Sequence, residues 1–522
     1  MEESSFDTII LGTGLTESIV AAALSKAGYK VAQLDTNSFY GGNEASLSFD
    51  ELIQWADANS SSLDSPFSSI TYSTKVLPQS RQYSICLRPS IIPSMGPLIS
   101  SLISSGVSKY SGFRLLDCVS VYHPSGIVKN VPASKEDVFK NNEITLIGKR
   151  RLMRFLTFAA GDFESQKEIQ GQHDKPFLEF LKTAFSLSDD IAGVIAYALA
   201  FCVSEADPTL PALRRLHKYL HSIGRYGPSA FLVGHYGGIG DIAQGFCRAA
   251  AVHGATYILG RRIESITHSE PGDTPNTRYT VRLVDFPEPL QCNLLISSPS
   301  YVPPELANDT FRLPPLVSDQ NSFFVDVIAR CTVIINKSIS FGSRSKDNAS
   351  ISDEVAARTG VDTGVLVVPP SSVAGGSSTS SAIVFITGEG SMSAPSGKWI
   401  LYIALPVPSS SVSPDSILKP YLHAILALTT EPVDVPAQPL FTMFYLETSS
   451  GTRSERGARR TEASYLVPPC LNYVSIAELS DTATVHAEAT FREALKVLGT
   501  SNDEEEFWPP VEDDQSDDCQ EK

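Results

Sequence analysis

Between residues 6 and 35 the hydrophobic pattern changes period twice, and each change marks an element. Residues 6 to 12 (FDTIILG) are apolar without alternation, as a strand covered on both faces requires. The turn GTGLTES follows, residues 18 to 27 (SIVAAALSKA) predict a helix of small residues, and YKVAQLD predicts a second strand. Strand, turn, helix and strand make a βαβ unit. Residues 134 to 137 (SKED) have the form of a capping box opening a helix through residue 139. Helical spacing continues at 143 to 159, 176 to 186, 189 to 203 and 210 to 223, with Ser188 and Thr209 as N-caps and Gly224 as a stop. From residue 231 the pattern returns to strand, helix, strand (AFLVGHY, GDIAQGFCRAAAVHG, ATYIL). Short β-like runs then fill the chain: TRYTVRLVDF, NLLISS, FFVDVIARCTVIIN, GVLVVP, AIVFIT, KWILYIALPV and FTMFYLE. Stretches rich in Ser, Gly, Pro and charge separate them and predict surface loops.

These elements predict a mixed α/β chain. Residues 1–130 and 224–500 supply a dinucleotide-type domain with an interleaved β-rich part, and residues 131–223 form an inserted helical domain. The acidic excess changes the picture at the end of the chain. The 522 residues carry 58 acidic against 41 basic side chains, a formal charge of −17. That sign argues against a protein that neutralises nucleic-acid phosphates. From Asp503 onward there are ten acids and one lysine, so residues 501–522 are expected to be an acidic tail without a packed element. No apolar run approaches the ~18 residues that span a bilayer, which points away from an integral membrane protein. The opening MEESSFDTIILGTG has no basic region or cleavage site of a secretory signal. The eight cysteines show no C-x-x-C pair and are read as reduced thiols, and neither end carries a lipidation motif.

The chemistry starts at the turn Gly12-Thr-Gly14-Leu-Thr-Glu17 and the acid Asp35 that ends the second strand. In a dinucleotide-binding unit the glycines admit a pyrophosphate to a helix N-terminus and the acid grips a ribose hydroxyl. Here Glu17 occupies the third glycine position, where its carboxylate is expected to serve the positive end of the helix and to repel a phosphate. Residues 227 to 264 repeat a strand, Gly-Gly, helix, Gly, strand rhythm that resembles flavin amine-oxidase-like proteins. Chains of that superfamily close with a second glycine-rich flavin contact, yet residues 458 to 498 contain no glycine. Both departures predict a flavoprotein fold without flavin, with Gly12, Gly14, Glu17 and Asp35 kept as scaffold. A flavin-dependent amine-oxidase-like oxidoreductase is the alternative from a different class.

The segment DTIILGTGLTESIVAAALSKAGYKVAQLDTNSFYGGN closely resembles the family of Rab GDP-dissociation inhibitors and Rab escort proteins. SIGRYGPSAFLVGHYGGIGDIAQGFCRAAAVHGATYIL and VPASKEDVFKNNEITLIGKRRLMRFLTF resemble it again. Asn43, Ala45-Ser46, Ser48-Phe49, Trp55 and the helical lead-in look more like the escort branch than the inhibitor branch. The resemblance implies a flavin-type domain plus a helical domain, no catalytic residues and no cofactor. It implies a cytoplasmic chain in transient contact with membranes. Tyr40, Asp241, Arg248, Thr256 and Ile258 fall on the positions with which the family contacts its GTPase, a Rab in the GDP state. Asp241 stands where Glu is usual and Ile258 where inhibitors often have methionine. The escort branch serves a Rab geranylgeranyltransferase α/β heterodimer; the inhibitor branch recycles prenylated Rabs without it. The helical module would hold the geranylgeranyl lipid between apolar walls such as residues 191–202 and 152–160, and dock the transferase through an exposed aromatic. Phe158, Phe163 and Phe177 are the candidates.

Each residue also has an ordinary reading. Tyr40 beside two glycines packs turns, an arginine on a helix is usually solvated, and an alanine-rich run is usually core. His217 and His221 share one helix face but lack a third ligand in register, so they are read as packing histidines and no metal is expected. The basic run GKRRLMR is read as a solvated helix face, and no Ser-His-Asp or Cys-His pair is recognisable.

Overall fold

The computed structural model describes residues 4–61, 65–74, 76–130, 144–268, 278–306, 310–314, 327–341, 360–409, 412–428, 438–448, 464–471, 474–499 and 506–508. The helices among them are α1 (Leu15–Lys26), α2 (Phe49–Ser60), α3 (Pro97–Ser105), α4 (Leu146–Ala160), α5 (Phe177–Phe185), α6 (Asp189–Val194), α7 (Thr209–Ser222), α8 (Ile239–Val252), α9 (Pro414–Leu426) and α10 (Leu479–Leu498). The helix expected over residues 134–139 lies outside the described residues.

The unalternating first strand, Ser5–Leu11, lies in the middle of a sheet with both faces covered, which is why it needs apolar residues at successive positions. It pairs in parallel with Val31–Asp35 on one side and Leu290–Ser297 on the other. Thr256–Leu259 adds in parallel beyond Val31–Asp35 and forms the edge. A hairpin of Ile263–His268 and Tyr279–Leu283, with Phe311–Arg312 and Tyr465–Val467, extends the far side to eight strands among the described residues. Strand alternation divides the core. Ile10 faces α1, α8 and α10, while Ile9 and Leu11 face a second apolar cluster with Tyr279 and Leu295.

The second sheet runs Phe67–Tyr72, Phe441–Thr448, Val327–Ile335, Trp399–Val407, Ala382–Thr387, Gly364–Val368, Cys118–Tyr122, Val128–Asn130. Its pairings are antiparallel except for Gly364–Val368 with Cys118–Tyr122. Residues before 130 thus already contribute three strands to the β-rich part. One face of this sheet packs α9 through Leu418, Tyr421, Leu422 and Ile425. The other face shares its largest apolar cluster with the helical module α4 to α7.

Within that module the expected segments form close to their predicted limits, with one change. The run predicted over 189 to 203 is α6 followed by a π-turn, Ile195–Leu199, a local widening that lets Ala196, Tyr197 and Ala198 all point into the core. Thr209 is not a cap: it is the first residue of α7, and its hydroxyl donates to the Lys175 carbonyl at 2.7 Å.

Two aromatics of the acidic tail are packed, against expectation. Phe507 is buried against Phe491 of α10, and Trp508 stacks on Phe246 of α8 and donates its indole N–H to Ser101 Oγ of α3 at 3.0 Å. Charge dominates the segment's composition, but two large apolar rings give it enough surface to bury.

Candidate functional site: a filled turn and an open helix face

Gly12 (φ +102°) makes the bend after the first strand, and its N–H donates to the Leu34 carbonyl at 2.7 Å. Gly14 then caps α1, whose N-terminal amides point at the position a pyrophosphate takes in a dinucleotide-binding unit. That position is filled by the chain itself. Glu44, in the short turn Gly42–Glu44, accepts from the Leu15 N–H at 2.9 Å through Oε2. A Cβ placed on Gly14 would lie 2.7 Å from Glu17 Oε2 and 2.8 Å from Glu44 Oε2.

The carboxyl group expected to serve the helix end was Glu17; the structure gives that role to Glu44. Glu17 is buried, and burial first, then the charges of Glu44 and Asp35, push its pKa up to about 8. Its surroundings thus favour the neutral acid, opposed only in part by a hydrogen bond from its own backbone N–H and by the charge of Arg88. Glu44 keeps a counter-ion: its Oε1 meets Arg88 Nη1 at 2.9 Å. Arg88 continues through Nε to Glu447 Oε1 at 2.5 Å, and Glu447 is bracketed on its other oxygen by Arg330. Both arginines hold the Glu447 carboxyl below its usual range despite complete burial.

Asp35 is equally committed to internal partners. Oδ2 accepts from Thr13 N–H (2.9 Å) and Thr13 Oγ1 (2.6 Å); Oδ1 accepts from Tyr301 hydroxyl (2.9 Å), Asn37 N–H (2.8 Å) and Asn37 Nδ2 (2.9 Å). A further element occupies the region of the absent second glycine contact. The first turn of α10 abuts that of α1, with Thr16 Oγ1 donating to the Ala483 carbonyl at 3.4 Å. Asp481 in that turn accepts from Leu98 N–H at 3.0 Å and pairs with Lys218 at 3.2 Å.

The second glycine turn precedes α8 and opens outward. A Cβ on Gly237 would come within 2.4 Å of Ser46 Oγ, and one on Gly240 within 2.5 Å of the Ser46 nitrogen, so only glycine lets α8 press against the segment after Glu44. Asp241, Gln244, Arg248 and Val252 recur at i, i+3, i+7 and i+11 along the outer face of α8. Gln244, Arg248 and Val252 are exposed, and Asp241 is half-buried, which pushes its pKa up to about 6. The Arg248 guanidinium carbon lies 4.5 Å from the ring centroid of Tyr110.

Tyr40 is half-buried and packs edge-on against Tyr257 with centroids 5.8 Å apart; burial, and after it the nearby Cys247 thiol, push its hydroxyl pKa up. That brings Tyr40 to the middle of α8. Thr256 and Ile258 stand on the same edge strand but on the opposite face from Tyr257, Ile258 packing with the cluster of Leu11 and Leu34. The five predicted positions therefore wrap the sheet edge, three on the α8 side and two on the other.

Residues 1–313 match the family described as GDP dissociation inhibitor. The chain belongs to this family. It is 32% identical over 320 residues to a Drosophila melanogaster protein named Rab proteins geranylgeranyltransferase component A, covering 57% of this chain and 60% of that protein. It is 33% identical over 265 residues to a Saccharomyces cerevisiae protein of the same name, covering 50% and 44%. The matched stretch thus spans about half the length of these relatives. In fold it is similar to a Rab GDI from Plasmodium falciparum, with TM-score 0.65 at 18% identity over 95% of this chain and 99% of that one. An oxidoreductase from Methanosarcina mazei shares the fold at TM-score 0.57 and 13% identity, over 93% and 99%. The mixed α/β, dinucleotide-type architecture agrees with both.

One expectation about this family member's helical module is overturned. Phe158, Phe163 and Phe177 are only 6, 4 and 1% exposed, so none is the exposed aromatic sought for docking. They pack with Phe155, Phe180 and Phe185 as the centre of the module, rings 4.9 to 6.5 Å apart. For Phe158 the spacing of Leu152, Phe155, Phe158 and Ala159 carried that information, because it is the buried stripe of an amphipathic helix. The histidines pack as read: His217 Nδ1 meets the Ala159 carbonyl at 2.9 Å, and its ring lies tilted against that of His221 with centroids 4.2 Å apart. Among the described residues no His/Cys/Asp/Glu group could hold a metal ion, and their cysteines are free. Glu44 and Arg88 are what the sequence reading missed. Only the unusual acid inside an FYGGNEAS glycine turn hints at the first.

Proposed function

We propose that this family member is a non-catalytic escort. It binds an unprenylated, GDP-bound Rab, presents the Rab's C-terminus to a geranylgeranyltransferase α/β heterodimer, and delivers the prenylated product to a membrane. The observation that carries this reading is the likeness to proteins named component A of a Rab geranylgeranyltransferase. The α8 face and sheet edge supply the Rab platform, with Arg248 offering a planar fork to a carboxylate or carbonyl and Tyr40 an amphipathic contact. Catalysis belongs to the transferase; the escort raises the local concentration of its substrate.

The escort works without a dinucleotide. A pyrophosphate at the N-terminus of α1 would have to displace Glu44 from Leu15 and leave Arg88 short of a partner, and Asp35 has no lone pair turned to a ribose. The residues present do not fit the group, and the purified protein should show no visible flavin absorbance. The lipid would be held by the helical module. Its two apolar runs belong to one closed apolar cluster in this structure, so seating a prenyl chain, worth about 0.8 kcal/mol per buried CH₂, requires elements of the module to part. No described helix is long and apolar enough to cross a membrane, which suits a cytoplasmic carrier in transient contact with membranes.

Reconstituted prenylation tests the reading: the protein is expected to stimulate geranylgeranyl transfer to GDP-loaded Rab by the heterodimer, and no stimulation would refute it. The match of residues 1–313 to the family described as GDP dissociation inhibitor favours one other reading, an inhibitor that recycles prenylated Rabs. An inhibitor would bind prenylated Rab yet fail to retain the heterodimer in a pull-down.

A further inference from the structure

Resting on the Rab-platform reading, we propose that Tyr110 is a positioning residue for Arg248, holding its guanidinium in the orientation that receives the partner. The arrangement is built by three features of the fold. After α3, Gly106 (φ +80°) turns the chain into the short helical turn Val107–Lys109, and Tyr110 follows with its N–H donating to the Val107 carbonyl at 2.9 Å. Val107 is fully buried and anchors this turn. Gly245 of α8 lets the turn come close: a Cβ there would sit 2.9 Å from Val107 Cγ1 and 3.3 Å from Ser111 Oγ. Arg248 is one helical turn beyond Gly245 on the same face, so its side chain arrives over the Tyr110 ring, 4.5 Å from the centroid.

The consequence is electrostatic and entropic. A ring face attracts the cation without consuming its N–H donors, and the stacked guanidinium loses less rotamer freedom when a carboxylate or carbonyl arrives. An internal carboxylate in that place would compete with the partner. The ring itself is 48% exposed, so replacing it does not open the core.

The test is a double-mutant cycle read by titrating GDP-loaded, unprenylated Rab onto the full chain. Tyr110→Leu is expected to weaken binding about three- to tenfold, Tyr110→Phe to stay within about twofold of wild type, and Tyr110→Leu to add less than about twofold in an Arg248→Ala background. If Arg248→Ala weakens binding but Tyr110→Leu does not, the positioning role is wrong while the platform stands. If Tyr110→Leu has its full effect without Arg248, Tyr110 acts on its own and the proposal is again wrong. If Arg248→Ala itself changes nothing, the platform reading fails and takes this inference with it.

Discussion

At Gly12 and Gly14 a helix N-terminus meets carboxyl groups of the chain itself; at Gly237 and Gly238 a helix N-terminus carries one acid, Asp241, that looks partly to solvent. The two helices pack side by side, with Ser18 Oγ and Cys247 Sγ 3.2 Å apart, and both rest on the segment from Tyr40 to Ser46. That segment treats them differently. Gly41 (φ +94°) reverses the chain, leaving Tyr40 beside α8 and aiming Glu44 at α1. One seven-residue stretch thus closes the inner turn and furnishes the outer face. The contrast shows how one segment can complement a helix end from inside while leaving the neighbouring helix face exposed, the face that the proposed function gives to a protein partner.

The comparison breaks most sharply at Arg88. Removing it by Arg88→Ala leaves Glu44 and Glu447 buried with less counter-charge, and a loss of about 3 to 5 kcal/mol is expected in denaturant unfolding, enough to abolish folding in a marginal protein. A loss under about 1 kcal/mol, the range of an exposed pair, would mean that the inner network is not desolvated as described.

Next in size is the proton on Glu17. Its folded pKa is raised from 4.5 to about 8, so between those values the native state holds a proton that the unfolded chain has released. Stability from this group is therefore full at low pH and is lost as pH rises towards 8, a swing of up to about 5 kcal/mol. Glu17→Gln, which keeps the shape and the neutral state, should remove that slope and make the variant relatively more stable at about pH 9 than at about pH 5. Parallel pH profiles for variant and wild type would show that Glu17 is ionised in the fold.

How much of this was legible follows from distance along the chain. The βαβ start was readable because its signals are local: an unalternating apolar run, glycines that allow the turn, and an acid closing the next strand. The helical module was readable from its 3.6-residue period. The plug was not, because Glu44 reaches Leu15 across 29 positions only after Gly41 reverses the chain, Arg330 and Glu447 meet through strands distant in sequence, and Arg88 joins them from a loop 359 positions from Glu447. Glu17 was visible, but its charge state depends on burial, which no spacing reports. Phe158 was misread because aromatic character was taken without the helical stripe that carries it inward, while Phe163, in the loop after α4, and Phe177, at the start of α5, are buried by packing that spacing does not report.

The smallest effect is expected on the outer turn. Asp241 has its folded pKa raised from 3.8 to about 6 by burial, so its stability contribution also falls as pH rises through that window, and it changes charge there on the proposed Rab platform. Asp241→Asn should flatten the pH dependence of Rab binding around pH 6 and, because it removes the half-buried charge, make the variant relatively more stable at neutral pH than at about pH 4. A pH dependence that survives the substitution would place the titrating group elsewhere.

The account stands most directly on one titration, of GDP-loaded, unprenylated Rab onto the wild-type chain and onto Arg248→Ala in parallel. It predicts saturable binding to the wild type and a loss of about 1 to 3 kcal/mol in the variant, whose unfolding curve stays that of the wild type. No binding by the wild type, or equal binding by both, would contradict the assignment of the open α8 face to a GTPase partner.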